Sequence, residues 1–293
     1  MSDSRCAHST RLASASLAVV IGLVAGRSDL AAQTKPMTLV VCAPGYPGST
    51  SEAQPAMDGL AAAAAARAGW GSDALRAVYF EDEKAGLDRL AAADAAVALV
   101  PLPFWLKHRE TLKLVPHLQA IEQGGEAAES WTLVAPAGLL SGPSSLADFE
   151  LVTISGYAPR FVRGPALANW GELPPEVRIT ASNNVISALR RASAGSRVAV
   201  LLDRASAAAM PTLPFASKLQ VVSRSAPLPV AVLSAVGDRL PSSRLNALVK
   251  GLTSLDTTRA GKEALSGVRL ARFVAADQAA LAKARALFDR ARE

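Results

Sequence analysis

Three loops that follow short apolar runs combine glycine, hydroxyl and amide groups in a pattern suited to binding an anion. They cover residues 44–51 (PGYPGSTS), 155–157 (SGY) and 182–184 (SNN), and Tyr46 in the first offers both a ring face and a hydroxyl. Glycine lets backbone approach a ligand, and N–H groups at a helix start favour an oxyanion without a formal positive charge. Ser and Asn also cap helices at such junctions. The residues are compatible with both ligand binding and helix capping, although matching loops in successive halves of the chain favour a ligand-binding site.

Residues with catalytic or metal-binding potential are few. After an N-terminal segment described below, the chain has two histidines, His108 and His117, and one cysteine, Cys42. No HExxH, GxSxG, Walker A or GxGxxG pattern occurs in the sequence. A single cysteine within an apolar run is typical of a buried thiol, and no pair of nucleophile and base is apparent. We therefore predict that the protein is not an enzyme and uses no metal or cofactor.

The elements that position these loops alternate between apolar runs and alanine-rich stretches. The predicted strands are 37–43, 75–80 and 95–102, and the predicted helices between them are 54–68 and 82–92. This βαβαβ order is typical of a parallel sheet with helices on both faces.

The order changes after the third strand. Two strands, 112–120 and 130–137, follow one another without a helix between them, which indicates that the chain crosses to a second lobe. A second alternation of strands and helices begins at residue 151, and the strand 230–235 is the candidate return crossing. Its predicted strands are 151–154, 177–180, 197–202 and 219–223, and its predicted helices are 160–169, 185–192 and 204–209. After the return the chain is predicted to be helical.

The predicted fold class is therefore α/β, a two-lobed clamshell in which each lobe is a mostly parallel sheet flanked by helices. Lobe 1 is predicted to comprise residues 33–136 and 230–293, and lobe 2 residues 137–229. Ligands of such proteins sit in the cleft where strand ends and helix starts converge.

The N-terminus has the pattern of a cleavable secretory signal peptide. Arg5 and Arg11 precede an uncharged run at residues 12–26. This run is too short and too rich in Ser and Gly to anchor in a membrane. Small residues at 30–32 predict cleavage after residue 32, and residues 24–26 offer a second cleavage site. Because no cysteine directly follows the apolar run, we expect a protein free in the periplasm without a lipid anchor.

Composition narrows the kinds of partner. Half of the 293 residues are hydrophobic, which predicts a globular protein with an ample core. The net charge of +6 is spread along the chain, without the clustered Lys/Arg face that nucleic-acid binding needs, so no nucleic-acid partner is expected. A modest positive excess mildly favours anionic ligands.

Several segments together resemble the phosphate/phosphite/phosphonate-binding periplasmic components of ABC transporters, a branch of the type 2 periplasmic binding proteins. The resemblance is low in level and runs from about residue 38 to 288. It is carried by the first strand with its Pro-containing loop and by the segments 94–99 (DAAVAL), 145–149 (SLADF), 155–157 (SGY), 198–204 (VAVLLDR) and 225–229 (SAPLP).

The resemblance implies a solute-binding protein that captures a small anionic solute, such as a phosphonate, phosphate or phosphite, and presents it to an ABC permease as a monomer. The implied ligand-binding residues are Tyr46, Ser155, Gly156, Tyr157, Asn183 and Asp203. Tyr46 would form the lobe 1 wall, Ser155 with two adjacent N–H groups would hold the anionic head, and Asp203 would take a cationic group. Arg160 is a weaker candidate.

The chain also departs from the family pattern. The Ser/Thr-rich run before the Ser-Gly step is short, at 153–156 (TISG), and Asn183 stands where many members have His. These departures keep alternatives open: a binding protein for an amino acid or organic acid, or a degenerate lobe pair that acts as a sensor or accessory module. An exported enzyme on the same scaffold is disfavoured because a nucleophile–base pair is lacking.

Overall fold

The computed structural model describes residues 36–292, which lie within one compact unit. The predicted signal peptide, residues 1–32, lies outside these described residues. Across residues 36–292, no helix combines the length and the apolar character that crossing a membrane would require.

Thirteen strands and nine α-helices are found in the described residues. The strands are β1 (Met37–Cys42), β2 (Leu75–Phe80), β3 (Ala95–Pro101), β4 (Leu114–Glu122), β5 (Ala128–Glu129), β6 (Thr132–Pro136), β7 (Glu150–Thr153), β8 (Arg178–Ala181), β9 (Val198–Leu202), β10 (Leu219–Arg224), β11 (Leu228–Pro229), β12 (Ala231–Val236) and β13 (Leu270–Ala275). The helices are α1 (Thr50–Arg67), α2 (Glu83–Ala91), α3 (Leu102–His108), α4 (Pro159–Phe161), α5 (Val185–Ser193), α6 (Arg204–Ala209), α7 (Ser242–Thr253), α8 (Arg259–Gly267) and α9 (Gln278–Arg290).

The larger sheet has six strands in the order β13-β4-β12-β3-β1-β2. Strands β1, β2 and β3 pair in parallel, as the βαβαβ pattern predicts, and Met37 to Cys42 lie opposite Leu75 to Phe80. Strand β12 returns from the second half of the chain and pairs antiparallel with both β3 and β4. This sheet with its helices is lobe 1.

The second sheet has five strands in the order β10-β6-β9-β7-β8 and forms lobe 2 with its helices. Strands β7, β8 and β9 are parallel, whereas β6 runs antiparallel to β9 and β10. Both sheets are therefore mixed, each built around three parallel strands, β1–β3 in one and β7–β9 in the other. The cause is that strands entering a sheet from the other lobe, β12 and β6, insert with the opposite direction.

One strand falls on the other side of the predicted lobe boundary. The boundary at residues 136 and 137 placed β6 in lobe 1, but β6 is paired within the second sheet. All five residues of β6 are buried, as expected for a strand near the centre of a sheet. An apolar run of this kind fits the centre of either sheet, so the sequence alone does not assign it.

The two lobes are connected through a short hinge. Strands β5 and β11 form a two-stranded antiparallel sheet, with Leu228 opposite Glu129 and Pro229 opposite Ala128. These strands lie on the outgoing and returning connections between the lobes. Neither was predicted, because two residues are too few to show a periodic pattern.

Helix bounds follow local chemistry. Helix α1 begins at Thr50, four residues before the predicted start, because Ser49 and Glu52 form a capping box: each side chain accepts a hydrogen bond from the other residue's N–H. The helix observed in the region of the predicted helix 160–169 is much shorter than predicted. It consists of α4 followed by a π-helical turn over Val162–Ala166, where Gly164 packs against the backbone of Leu287 in α9 and Pro165 has no N–H to donate.

Helix α2 lies directly over the end of β1, where Cys42 is fully buried. The Cys42 Sγ lies 3.7 Å from the carbonyl oxygen of Asp82. Burial, reinforced by the carboxylates of residues 81–83, raises the pKa of the Cys42 thiol to about 12. The thiol is thus held in its neutral form beneath Gly86, in agreement with the prediction of a buried cysteine.

This contact predicts that Gly86→Ala destabilises lobe 1. A Cβ at residue 86 would lie 2.1 Å from the Cys42 Sγ and 2.9 Å from the Cys42 Cβ, so the helix must move. We expect the free energy of unfolding to fall by about 1–3 kcal/mol in urea denaturation. Cys42→Ala in the same background should recover part of the loss because it vacates the overlapping volume.

Gly59→Ala is the matched control in helix α1, since a Cβ there meets open space. It should raise the free energy of unfolding by about 0.5–1 kcal/mol through helix propensity alone. Equal effects of the two substitutions would contradict the packing argument.

Candidate functional site

The loops after β1 and β7 meet at the seam between the two lobes. Gly45 in the first loop has φ +81°, a left-handed conformation that favours glycine. A Cβ at this position would lie 2.9 Å from the Cγ1 of Ile154 and 3.4 Å from its carbonyl oxygen. The structure therefore brings together the two loops that the sequence singled out as a matching pair.

Tyr46 reaches from the lobe 1 loop toward acidic groups of the hinge and lobe 2. Its backbone is fixed, because its N–H donates to the Ala43 carbonyl at 3.1 Å and its carbonyl accepts from the Tyr79 hydroxyl at 3.5 Å. Burial raises the pKa of Tyr46 well above its ordinary value, and the negative charges of Asp203 and Glu129 raise it further. The phenol thus stays protonated.

Ser155 and Gly156 form the tight turn that follows β7. The Ser155 N–H donates to the Thr153 Oγ1 and the Gly156 N–H to the Thr153 carbonyl, both at 3.3 Å. The Gly156 N–H, proposed from the resemblance as an anion donor, is thus already engaged within the turn. Ser155 is 2% exposed.

Gly156 has a packing role that the sequence did not reveal. A Cβ on Gly156 would lie 2.4 Å from the Ala181 nitrogen and 2.6 Å from its Cα, at the end of β8. Only glycine allows this approach of two backbones, so the residue holds the β7 loop against the neighbouring strand.

Tyr157 anchors the same loop to lobe 1. Its carbonyl accepts a hydrogen bond from the Lys107 Nζ at 2.6 Å, and that nitrogen also lies 5.7 Å from the centre of the Tyr157 ring. Lys107 is in turn 2.8 Å from the Glu83 Oε1. Burial, with the negative charges of neighbouring groups, raises the pKa of Tyr157 well above its ordinary value. This contact between Lys107 and Tyr157 spans the two lobes.

The third loop, residues 182–184, mainly caps helix α5. The Asn184 side chain accepts from the Ser187 N–H at 3.0 Å, and the Asn184 N–H donates to the Ser182 hydroxyl at 3.1 Å. Asn183 lies between these two residues and is exposed. It stands at the carboxyl end of β8, at the same sheet edge as Ser155, but no contact to the other candidates is formed within the described residues.

Asp203 combines a capping role with a position at the seam. It is 7% exposed at the end of β9, and its Oδ1 accepts from the Ser206 N–H at 2.8 Å, which caps α6. Its charge contributes to the raised pKa of Tyr46, which places it near the lobe 1 loop. Capping and ligand contact are therefore compatible at this residue, since a carboxylate has a second oxygen.

Glu129 is a further buried carboxyl group near Asp203, and it could not be identified from the sequence. It lies in the hinge strand β5, is 7% exposed, and accepts a hydrogen bond at its Oε2 from the Arg204 N–H at 3.1 Å. Burial raises the pKa of Glu129 to about 7, and the charges of Asp203 and Glu122 add to the effect. No sequence signal marks this residue, because its burial depends on the meeting of the lobes.

Arg204 is the cation beside these acids, and its guanidinium group is turned toward lobe 1. The Arg204 Nη2 lies 2.6 Å from the Glu122 Oε2, and its Nη1 lies 3.5 Å from the Gly124 carbonyl oxygen. Arg160, the weaker candidate, lies elsewhere. It donates to the carbonyl oxygens of Ala291 and Asp289 at the end of α9.

The candidates thus divide into two groups at one seam. Neutral donors, the Ser155 hydroxyl and the Tyr157 N–H, lie on the β7 loop, and the buried carboxyl groups of Asp203 and Glu129 lie toward the hinge. Two surface depressions of about 340 and 350 Å³ lie away from the seam and are lined by none of the predicted site residues. Residues 36–292 contain no cluster of three or more His, Cys, Asp or Glu side chains that could hold a metal ion.

Comparison with known proteins shows the fold. No known protein family matches the sequence, and no curated protein matches it either. A Xanthomonas citri protein solved with bound chloride superposes with a TM-score of 0.68 at 13% identity, covering 86% of this chain and 98% of that chain. The binding protein component of a phosphonate ABC transporter from Pseudomonas aeruginosa gives 0.61 at 14% identity, with 87% and 86% covered.

A third structure, PhnD1 from Prochlorococcus marinus in complex with methylphosphonate, gives a TM-score of 0.58 at 12% identity, with 87% and 98% covered. The chain therefore has the two-lobed fold of type 2 periplasmic binding proteins, which confirms the predicted fold class. At 12–14% sequence identity, this structural similarity shows the fold alone.

The packing of Gly156 predicts that Gly156→Ala destabilises lobe 2. The added Cβ must displace the backbone of β8, so we expect a loss of about 1–3 kcal/mol in the free energy of unfolding by urea denaturation. Gly142→Ala is a matched control, since its backbone is extended with φ −175° and a Cβ there meets open space. A Gly156→Ala protein as stable as the control would show that the close approach is not needed.

Proposed function

We propose that the protein is an extracytoplasmic solute-binding protein that captures a small anionic solute between its lobes and presents it to an ABC permease. The solute would be phosphonate-, phosphate- or phosphite-like. Lobe closure around the solute would be the functional motion, without covalent chemistry. The exported location rests on the N-terminal sequence, and the monomeric state on the family resemblance.

The observation that carries this proposal is the meeting of two strand-end loops at the seam, where a Cβ on Gly45 would lie 2.9 Å from the Cγ1 of Ile154, the residue before Ser155. Ser155 is 2% exposed on this loop, and its hydroxyl is a neutral hydrogen-bond donor. Together with the Tyr157 N–H it supplies two neutral donors on one loop at the seam. Donors of this kind suit an oxyanion, which accepts hydrogen bonds strongly.

The opposite end of the seam adds a second requirement. Asp203 and Glu129 are buried carboxyl groups whose negative charges raise the pKa of Tyr46. Negative charge there would repel an anion that lacks any cationic group, whereas a solute with an anionic head and a cationic tail would satisfy both ends. This supports the role for Asp203 implied by the resemblance, and it makes an amino acid the main alternative solute.

A thermal-shift panel tests the proposal. Methylphosphonate, 2-aminoethylphosphonate, phosphite, phosphate, sulfate and amino acids are each added to the purified protein. At least one should raise the melting temperature, because binding to the folded state alone stabilises it by about 2.7 kcal/mol at one hundred times the Kd. Failure of all compounds would favour the sensor or accessory-module alternative.

Two substitutions test the site itself. Ser155→Ala should abolish the ligand-induced shift and leave the melting temperature of the free protein nearly unchanged, since the hydrogen bonds that form the turn are donated by the backbone N–H groups of Ser155 and Gly156. Asp203→Asn keeps an N-cap for α6 and should remove the response only to solutes that carry a cationic group. Glu126→Gln, at an exposed position between β4 and β5, is the control for a lost charge. Loss of stability in the free Ser155→Ala protein would mean that the residue is structural.

A further inference from the structure

Helix α9 begins on lobe 1 and ends on lobe 2. At its start, the Asp277 N–H donates to the Oε1 of Gln119, a buried residue of β4, and the Gln119 Nε2 donates to the Ala127 carbonyl just before the hinge strand β5. At its end, a Cβ on Gly164 in the π-helical turn of lobe 2 would lie 2.6 Å from the Leu287 carbonyl oxygen. The helix therefore runs from the edge of the hinge to the second lobe.

The last turn of α9 contacts an arginine from each lobe. Arg160 of α4 donates from its Nη2 to the Asp289 carbonyl oxygen at 3.0 Å, and its guanidinium carbon lies 4.6 Å from the centre of the Phe288 ring. Arg109, between α3 and β4 of lobe 1, donates from its Nη2 to the Asp289 Oδ1 at 2.6 Å and lies 5.6 Å from the centre of the same ring. Two consecutive residues of one helix are thus bound to both lobes.

The contacts toward the two lobes are unequal. Two hydrogen bonds from Arg160, to the carbonyl oxygens of Asp289 and Ala291, and the backbone approach at Gly164 bind the end of α9 to lobe 2. Toward lobe 1, the polar contact at this end is the ion pair with Arg109.

The ion pair is nonetheless costly to break. Arg109 is 9% exposed, and its other partners are the Leu106 carbonyl oxygen and the exposed carboxylate of Glu110. Separating Asp289 from Arg109 would leave a buried guanidinium with less compensation for its charge, which is unfavourable. The ion pair therefore favours the relative position of the lobes that the structure shows.

We propose that α9 is a strap that restrains the angle between the lobes, with the ion pair between Arg109 and Asp289 as its clasp. Because the start of α9 is bound to lobe 1 and its end to lobe 2, a rotation of one lobe away from the other must break contacts at the end of the helix. The ion pair is the smaller set of contacts, so it is the set that yields. The inference goes beyond the proposed function, since the restraint acts without any solute.

The test measures the distance between the lobes in the ligand-free protein. Spin labels are attached at Ala62→Cys in α1 and Arg190→Cys in α5, which are exposed positions on lobes 1 and 2, whereas the buried Cys42 stays unlabelled. Pulsed electron–electron double resonance then gives the distribution of distances between the labels. We expect one narrow peak for the doubly labelled parent protein.

Two variants release the strap from opposite sides. Asp289→Asn removes the charge of the clasp and keeps the backbone carbonyl that Arg160 binds, so the population outside the main peak should rise about two- to fivefold, the range for a partly exposed ion pair. Arg160→Gln frees the end of α9 from lobe 2 and should broaden the distribution in the same way. The double variant should be no broader than the broader single variant, because both act on one strap.

Glu263→Gln is the matched control, since it removes an exposed ion pair with Arg259 inside helix α8 and should leave the distribution unchanged. Urea denaturation of each variant checks that the lobes remain folded, and if Arg160→Gln does not fold, Asp289→Asn alone decides. A broad distribution in the parent protein, no broadening in Asp289→Asn, or equal broadening in Glu263→Gln would overturn the inference. Additive broadening in the double variant would also overturn it, because the two sets of contacts would then act independently.

Discussion

The close approach of backbone at the seam is the constraint on which the candidate site depends. Gly45 adopts a left-handed conformation against Ile154, and Gly156 lies so near the end of β8 that no Cβ fits. These two contacts fix the ends of β1 and β7 relative to each other and to the second sheet. Ser155, Tyr46 and Tyr157 are attached to the loops that the glycines hold, so their positions follow from backbone packing rather than from contacts of their own.

Charge at the seam is distributed unevenly between its two ends. On one side Lys107 joins Glu83 to the Tyr157 carbonyl, so a cation within hydrogen-bonding distance of both compensates the inter-lobe contact. On the hinge side Glu129 and Asp203 are buried, and the neighbouring cation, Arg204, has its guanidinium group paired with Glu122. Because burying an uncompensated charge is expensive, a proton or a cationic group at this end would stabilise the buried carboxyl groups.

Much of the fold could be predicted from the sequence, because most strands are unbroken apolar runs. Strand β2 and helix α6 were predicted with the bounds that the structure shows, and β1 and β3 to within one residue. Strand β13 was missed: it lies at a sheet edge and mixes exposed arginine with apolar residues. The direction of individual strands such as β6 could not be predicted, because direction is set by how the chain returns and not by local pattern.

The candidate site was predictable in part, and the limits have a physical cause. Loops rich in glycine and hydroxyls stood out at the strand ends, so Tyr46, Ser155 and Tyr157 could be found and placed at a common seam. The residues could not show that the Gly156 N–H is used within its turn or that Asn184 and Ser182 take the caps around Asn183. Glu129 gave no signal, since a glutamate in a two-residue strand is an ordinary surface residue until two lobes enclose it.

The position of that glutamate links the hinge to the site. Strands β5 and β11 are the only paired strands in the described residues that belong to neither large sheet. They lie on the two connections between the lobes. Glu129 of β5 accepts a hydrogen bond from the N–H of Arg204, the residue that follows Asp203. The acidic end of the seam is therefore joined to the hinge by a single hydrogen bond between a hinge side chain and the backbone beside the site.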